Sequence, residues 1–319
     1  MKELFPRSNR WGQLEAVSLA VAGPTVGKTF VVLAGTNPNY DKLSQLLDYD
    51  KEGVGRIFPT LDAAIGACVA NRGDVIHVLP GHSESVTAAD GVDLDVVGVT
   101  VIGHGRGSDR PTFTFDTAIT AQMQVAAANV TLQNLVLENG IDNLTNALNI
   151  DAANCLLKDI ETVDNDSNYH CDDFIVTTAN ADDLKIKGWK HKAASGKTGA
   201  QTALSIVGGD NIEVDDFDVD GDFAVAAIEN VTTAATNLKV GAKSQGNLAR
   251  TRNAADVIFT AVATTTGFVD NIFSRLLDDA ANITEALVGA DMQFGPNLPI
   301  VNADGEQALQ WNGSASTDA

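Results

Sequence analysis

The sequence predicts an all-β protein, a right-handed parallel β-helix of about nine coils with an N-terminal capping helix and an N-terminal β arm. Three observations lead there. A loose repeat runs through most of the chain; the apolar residues are mainly Ala, Val, Leu and Ile beside 28 Gly, with only 6% aromatics; and a helix signal stands directly before the first repeat. At 319 residues and 44% hydrophobic content, the chain can bury a sizeable core without staples.

The repeat is a polar or Gly residue followed by apolar residues at alternate positions. It starts at Asp74, Gly98, Asn129, Asn154, Asp183, Asn211, Asn237, Gly267 and Asn297. The gaps between these starts are 24, 31, 25, 29, 28, 26, 30 and 30, too irregular for a leucine-rich or helical repeat. A β-helix accepts such variation, because turns at its surface can gain or lose residues while the strands keep their alternation. Several coils add a second inward pair: Leu135 and Leu137, Ile160 and Thr162, Phe217 and Val219. Others carry an earlier strand, as in Leu148–Ile150, Phe174–Val176 and Leu204–Ile206.

Stacked coils share one core whose ends need covers. Thr60 can N-cap a helix over 60–71 with Leu61, Ala64, Ile65 and Val69 on one face, ended by Asn71 to Gly73. Upstream, Ala16 to Val21 and Thr29 to Leu33 read as strands joined at Gly23-Pro24, with a short helix around Lys42 to Leu47. The domain reading is therefore an arm or small β-module over 1–55, the β-helix over 56–302, and a polar tail over 303–319 that includes Trp311.

The run Thr60-Leu61-Asp62-Ala63-Ala64-Ile65, followed by Arg72 to His82, resembles the opening of pectin-lyase-type β-helices. The stretch from Val101 to Gly105 and on to Arg110-Pro111-Thr112-Phe113 resembles their second coil. Residues 58 to 302 as a whole are similar to β-helix proteins of tailed-bacteriophage virions, among them homotrimeric capsid decoration (cement) proteins and tailspikes. Gly27 to Leu33 and Thr36 to Tyr40 look like the leader of such proteins.

Charge and cysteine content narrow the function. With 21 Lys and Arg against 42 Asp and Glu, the formal charge is −21, which repels nucleic acid and anionic lipid. Cys68, Cys155 and Cys171 are odd in number and lack zinc-site spacing, so they read as small core residues of a chain made in a reducing cytosol. The start has no apolar signal region, and no run of about 18 apolar residues exists to span a bilayer. No cofactor is implied.

The chemical candidates are few. Ala22 to Thr29 fits a relaxed phosphate-loop pattern, but Phe30 to Leu33 after it reads as a strand where such a loop needs a helix. Asp215 to Asp222 resembles half a calcium loop, yet position 12 counted from Asp216 is Ala227 where a Glu is required. Asp216, Asp218 and Asp220 would then form an outward carboxylate row, a weak cation site at most. Stacking the repeats places Thr131, Leu156, Lys185, Glu213 and Lys239 in one outward column, and Gln133, Lys158, Lys187, Asp215 and Gly241 in the next. Neither column gathers the carboxylates that lyase or hydrolase chemistry uses, and Lys185, Glu213 and Lys239 read as cross-strand charge pairing. The turn holding Asp164, Asp166, His170, Cys171, Asp172 and Asp173 has metal-binding residue types but also the composition of an ordinary loop. His77, His82, His104 and His191 are scattered.

The expectation is a structural virion protein, not an enzyme: a decoration protein on the capsid exterior, made in the host cytoplasm. Its partners would be the major capsid protein and, as the resemblance implies, itself as a homotrimer. Lys2, Arg7 and Arg10 are the expected capsid contacts. The other class is a tailspike or depolymerase acting on host surface glycan. It needs exposed aromatics, whereas of the three Trp only Trp189, and of the three Tyr only Tyr169, lie within the repeats.

Overall fold

The computed structural model describes residues 27–37, 40, 55–165, 169–193, 200–244, 246–252, 257–277, 287–301, 303–304 and 307–309. The readings for Ala16 to Val21, Lys42 to Leu47, Trp311, Asp166, Lys2, Arg7 and Arg10 lie outside them.

The chain is an all-β parallel solenoid whose coils each pass three faces. On the first, Thr29–Val32, Val75–Val78, Thr100–Gly103, Thr131–Gln133 and Leu156–Lys158 stack in parallel, followed by the start of Lys185–Lys192 and of Glu213–Gly221, then Leu238–Val240, Gly267–Val269 and Met292–Phe294. The second face runs from Ser83–Ser85 to Pro299–Val301, and the two long strands Lys185–Lys192 and Glu213–Gly221 bend through both faces, joining them into one sheet. The third face is a separate eight-stranded sheet from Val92–Asp93 to Leu287–Val288. It carries one strand per coil, so the solenoid makes about eight turns.

The polar residue that begins each repeat turns the corner between the third and first faces. Gly98, Asn129, Asn154, Asp183, Asn211 and Asn237 all hold φ between 55° and 80°. That left-handed region is open to Gly at no cost and to Asn and Asp at little, and nearly closed to other residues. In this conformation the N–H of five of these residues points along the stack to the carbonyl preceding the next corner: Gly98 to Ala128 at 3.1 Å, Asn129 to Ala153 at 3.1 Å, Asn154 to Asp182 at 2.7 Å, Asp183 to Asp210 at 2.8 Å and Asn211 to Thr236 at 2.8 Å; Asn237 N donates instead to Thr266 Oγ1 at 3.3 Å. A second series of corners, between the first and second faces, repeats the left-handed conformation at Asn134, Asp159, Gly188, Asp216, Gly241 and Asn271.

Three repeat starts take other places. Thr100 pairs with Val75, which puts Gly73 (φ 76°) at the corner and Asp74 one residue beyond it. Gly267 pairs with Leu238, so Thr266 stands opposite Asn237. Asn297 belongs to the second corner series, where its Nδ2 donates to Asn271 Oδ1 at 3.1 Å, and Pro299–Val301 stacks on Ile272–Leu276 of the second face. The coil that begins at Met292–Phe294 has first- and second-face strands but, among the described residues, no third-face strand, so nine expected coils become about eight.

Inside, each face lays an apolar stack down the axis. Val101, Leu132, Leu157, Ile186, Val214, Val240 and Val269 follow one another on the first face, and Met123, Leu148, Ile175, Leu204, Ile228, Phe259 and Leu287 on the third. All are buried. The capping helix is shorter than expected, Leu61–Ile65, with the Thr60 hydroxyl accepting from Ala63 N. Past Gly66 the chain tightens into turns, with Ala67 N donating to Ala64 O and Cys68 N to Ile65 O, and Val69 N is claimed by Asp74 Oδ2 at 2.8 Å. Leu61, Ala64 and Ile65 are buried as expected, whereas Val69 is 50% exposed. Upstream, Thr29–Val32 is the stack's own rung: it pairs with Val75–Val78 on one side and Ile57–Phe58 on the other.

Candidate functional site

The phosphate-loop pattern ends in this rung. Lys28 N donates to Asp74 Oδ1 at 2.7 Å, and a Cβ on Gly27 would stand 2.1 Å from Gly73 O, so this backbone is packed against its neighbour coil. Asp74 is a buried hub whose carboxylate also takes Val69 N and a two-pronged bond from Arg72 Nε and Nη2, each at 2.7 Å.

The outward columns stack as the repeat implies: Thr131, Leu156, Lys185, Glu213 and Lys239 are successive partners, as are Gln133, Lys158, Lys187 and Asp215. The charge pairing differs. Glu213 is bonded to Lys187 (3.1 Å) and to Lys243 (2.6 Å), not to Lys185 or Lys239, because the turn after Gly241 folds over this column. Burial raises the Glu213 carboxyl's proton affinity, but the two lysines outweigh it and hold its pKa below the usual range. The same turn buries Asp215, which accepts from Ser244 N at 3.0 Å and Ser244 Oγ at 2.9 Å.

The carboxylate row is divided. Asp216 occupies a left-handed corner, while Asp218 and Asp220 lie on the second face against Arg250, with Nη2 at 2.6 Å from Asp218 and Nε at 2.9 Å from Asp220; Arg252 also pairs with Asp220. Two of the three carboxylates are thus neutralised by arginines. In the 164–173 turn, His170 lies between Asp142 (2.9 Å) and Asp172 (3.3 Å), Asp164 accepts from the buried Asn139 amide at 2.9 Å, and Asp173 accepts from Thr202 Oγ1 at 2.9 Å. These side chains are shared among several turns. Among the described residues, no group of three or more His, Cys, Asp or Glu is placed to hold a metal ion.

Four histidines are buried, His77, His82, His170 and His191, and for two of them burial lowers the pKa far below its ordinary value. His191, inside the solenoid among Phe174, Trp189 and Phe223, shares Thr162 Oγ1 with the Trp189 indole: His191 Nδ1 and Trp189 Nε1 both stand 3.0 Å from it. Burial lowers its pKa to about 3. His77 Nδ1 meets His104 Nε2 at 2.7 Å, and burial first, then the His104 charge, lowers the His77 pKa to about 4. All three cysteines are free thiols. Burial pushes Cys68 up to about 12 and raises Cys155 and Cys171, so none is poised as a thiolate.

Where the second corner series passes the first coils, the outer surface opens into a cleft of about 240 Å3 lined by Gly105, Arg106, Gly107, Arg110, Asn134, Asp159, Ile160, Gly188 and Lys190. Arg110 acts as a strut along its wall. Its Nη1 donates to Glu161 Oε2 at 2.6 Å, and its Nη2 to Leu135 O at 3.0 Å and Asp159 O at 2.5 Å, so one side chain ties its own coil to the next two. Its Nε is buried without an acceptor. This cleft was not visible in the repeat pattern. Arg106 and Arg110 fall in a loop, Lys190 comes from a strand three coils on, and only the register joins them. Compared with known proteins, the chain matches no family model, no curated protein and no solved structure.

Proposed function

We propose that this chain is a structural protein of a tailed-bacteriophage virion, a decoration protein that binds the capsid exterior and stabilises the shell, with the major capsid protein and further copies of itself as partners. The observation that carries the reading is the solenoid over 58 to 302, the stretch whose sequence as a whole resembles β-helix proteins of phage virions, opened by the pectin-lyase-type run from Thr60 to Phe113 that here forms the cap and first rungs. Support also comes from the way outward charges are used: Glu213, Asp218, Asp220 and Glu161 are consumed in ion pairs that brace neighbouring coils. A rigid rod of this kind suits a load-bearing part.

The test mixes the purified protein with undecorated shells of the parent particle and measures co-sedimentation and the temperature at which shells rupture. Binding with a raised rupture temperature is expected, reduced in a Lys2→Glu, Arg7→Glu, Arg10→Glu variant. Charge reversal is a cleaner probe than deleting 1–55, because Thr29–Val32 is a rung of the solenoid. Lack of binding, or shortening of host surface glycan by the isolated protein, would overturn the reading in favour of a tail or depolymerase role.

A further inference from the structure

We infer that the cleft at Gly105, Arg106, Arg110 and Lys190 is a binding site for a phosphate or sulfate group. The inference is independent of the virion reading and rests on how charge is distributed. The chain carries a formal −21, yet this cleft is lined by three cations and one carboxylate, Asp159, giving 3 − 1 = +2, or +1 if Glu161, bonded to Arg110, is included. Concave walls concentrate such a field, so the cleft is an electropositive hole in an acidic surface.

The three cations are not equivalent. Arg110 is fixed by its three bonds, with its Nε left over. Arg106 and Lys190 have, among the described residues, no ion-pair or hydrogen-bond partner for their side chains, although Lys190 stands between Glu161 and Asp218 in register. Those two acids are taken by Arg110 and Arg250. Two free cations therefore face the cleft beside a third held in place.

Glycines keep the cleft open. Gly107 (φ 55°) has nothing within 4 Å of where a Cβ would stand, and a Cβ on Gly188 (φ 69°) would come within 2.5 Å of Asp159 Oδ1. Cations reaching in from separate coils suit an anion whose oxygens point in more than one plane, which a tetrahedral oxyanion offers and a flat carboxylate does not.

The test follows the backbone amides by NMR while inorganic sulfate or inorganic phosphate replaces chloride at constant ionic strength. Saturable shifts are expected at Gly105, Gly107 and Gly188. A variant with Arg106→Ala and Lys190→Gln should bind about tenfold more weakly or worse, as loss of charge-assisted bonds implies, with the rest of its spectrum unchanged. Lys239→Ala, a surface cation elsewhere, should bind as the parent. A sulfated disaccharide serves as a second arm: tighter binding than free sulfate identifies the group as one carried on a saccharide, and equal binding identifies the free ion, either result supporting the site. Shifts that stay linear with concentration, or that persist at equal affinity in the double variant, would overturn it.

Discussion

Single residues decide where this chain may turn. Asn154 sits at φ 59° with its N–H donating at 2.7 Å. Replacing it with Gly should leave stability within about 0.5 kcal/mol, whereas Val should cost about 2 kcal/mol, since a β-branched side chain is strained in the left-handed region. Urea unfolding of the two variants measures the contrast, and equal midpoints would refute the role given to the corner. Asp74 is the opposite kind of residue, irreplaceable for its bonds. Asp74→Ala strands two backbone N–H groups and removes a two-pronged bond to a mostly buried arginine, so a loss of about 3 kcal/mol is expected. Calorimetric melting of the purified variant checks it.

At the scale of strands, the polar entry in the inner stack of the second face has a pH signature. His191 is neutral in the folded chain down to about pH 3, whereas an unfolded histidine takes up a proton near 6.5, so between these values unfolding binds a proton and stability falls as pH falls. The slope is about 1.4 kcal/mol per pH unit for one group. His77, lowered to about 4, adds to it over its own narrower window. Asp93, Glu138, Asp173 and Glu229 act in the opposite sense: burial raises their pKa values, so the folded state gains from their protonation as the solution is acidified. Comparing the parent with His191→Leu isolates the one group, and the variant's stability should depend less steeply on pH from 6.5 to 4. Identical slopes would mean His191 is protonated in the fold.

Much of this element pattern could be read directly from the chain, because Asn, Asp and Gly at corners and alternating Val, Leu and Ile leave a periodic trace. The inward pair Ile160 and Thr162 was legible as well, although Thr162 is polar, since period alone places it. Three repeat starts misled for a common reason: a polar residue before an apolar run marks a corner, but two corner series run down this solenoid, and a one-residue offset still leaves apolar alternation. The capping helix stopped early because Asp74 competes for Val69 N, a tertiary bond invisible to local propensity. The basic cleft was hidden for the same reason, its residues being brought together by register across coils.

For the whole molecule, strand pairing joins each coil only to its neighbours, so stability should vary along the axis instead of being uniform. Amide hydrogen exchange is expected to be slowest at Leu157, Ile186 and Val214, which have several rungs on either side, and faster at Phe268 and Met292 toward the far end. Uniform protection throughout would contradict a nearest-neighbour stack. Among the described residues no helix is long and apolar enough to cross a membrane.

The corner series carries one more consequence. Because the rungs from Gly98 to Asn211 are each locked to the next by a left-handed residue and its N–H, the outward positions at Thr100, Thr131, Leu156 and Lys185 form a line of four pegs at a pitch of about 4.8 Å, the distance between adjacent strands. Such a line is a ruler: any chemical group written into those positions would be displayed at a fixed interval, whatever the lengths of the loops between them.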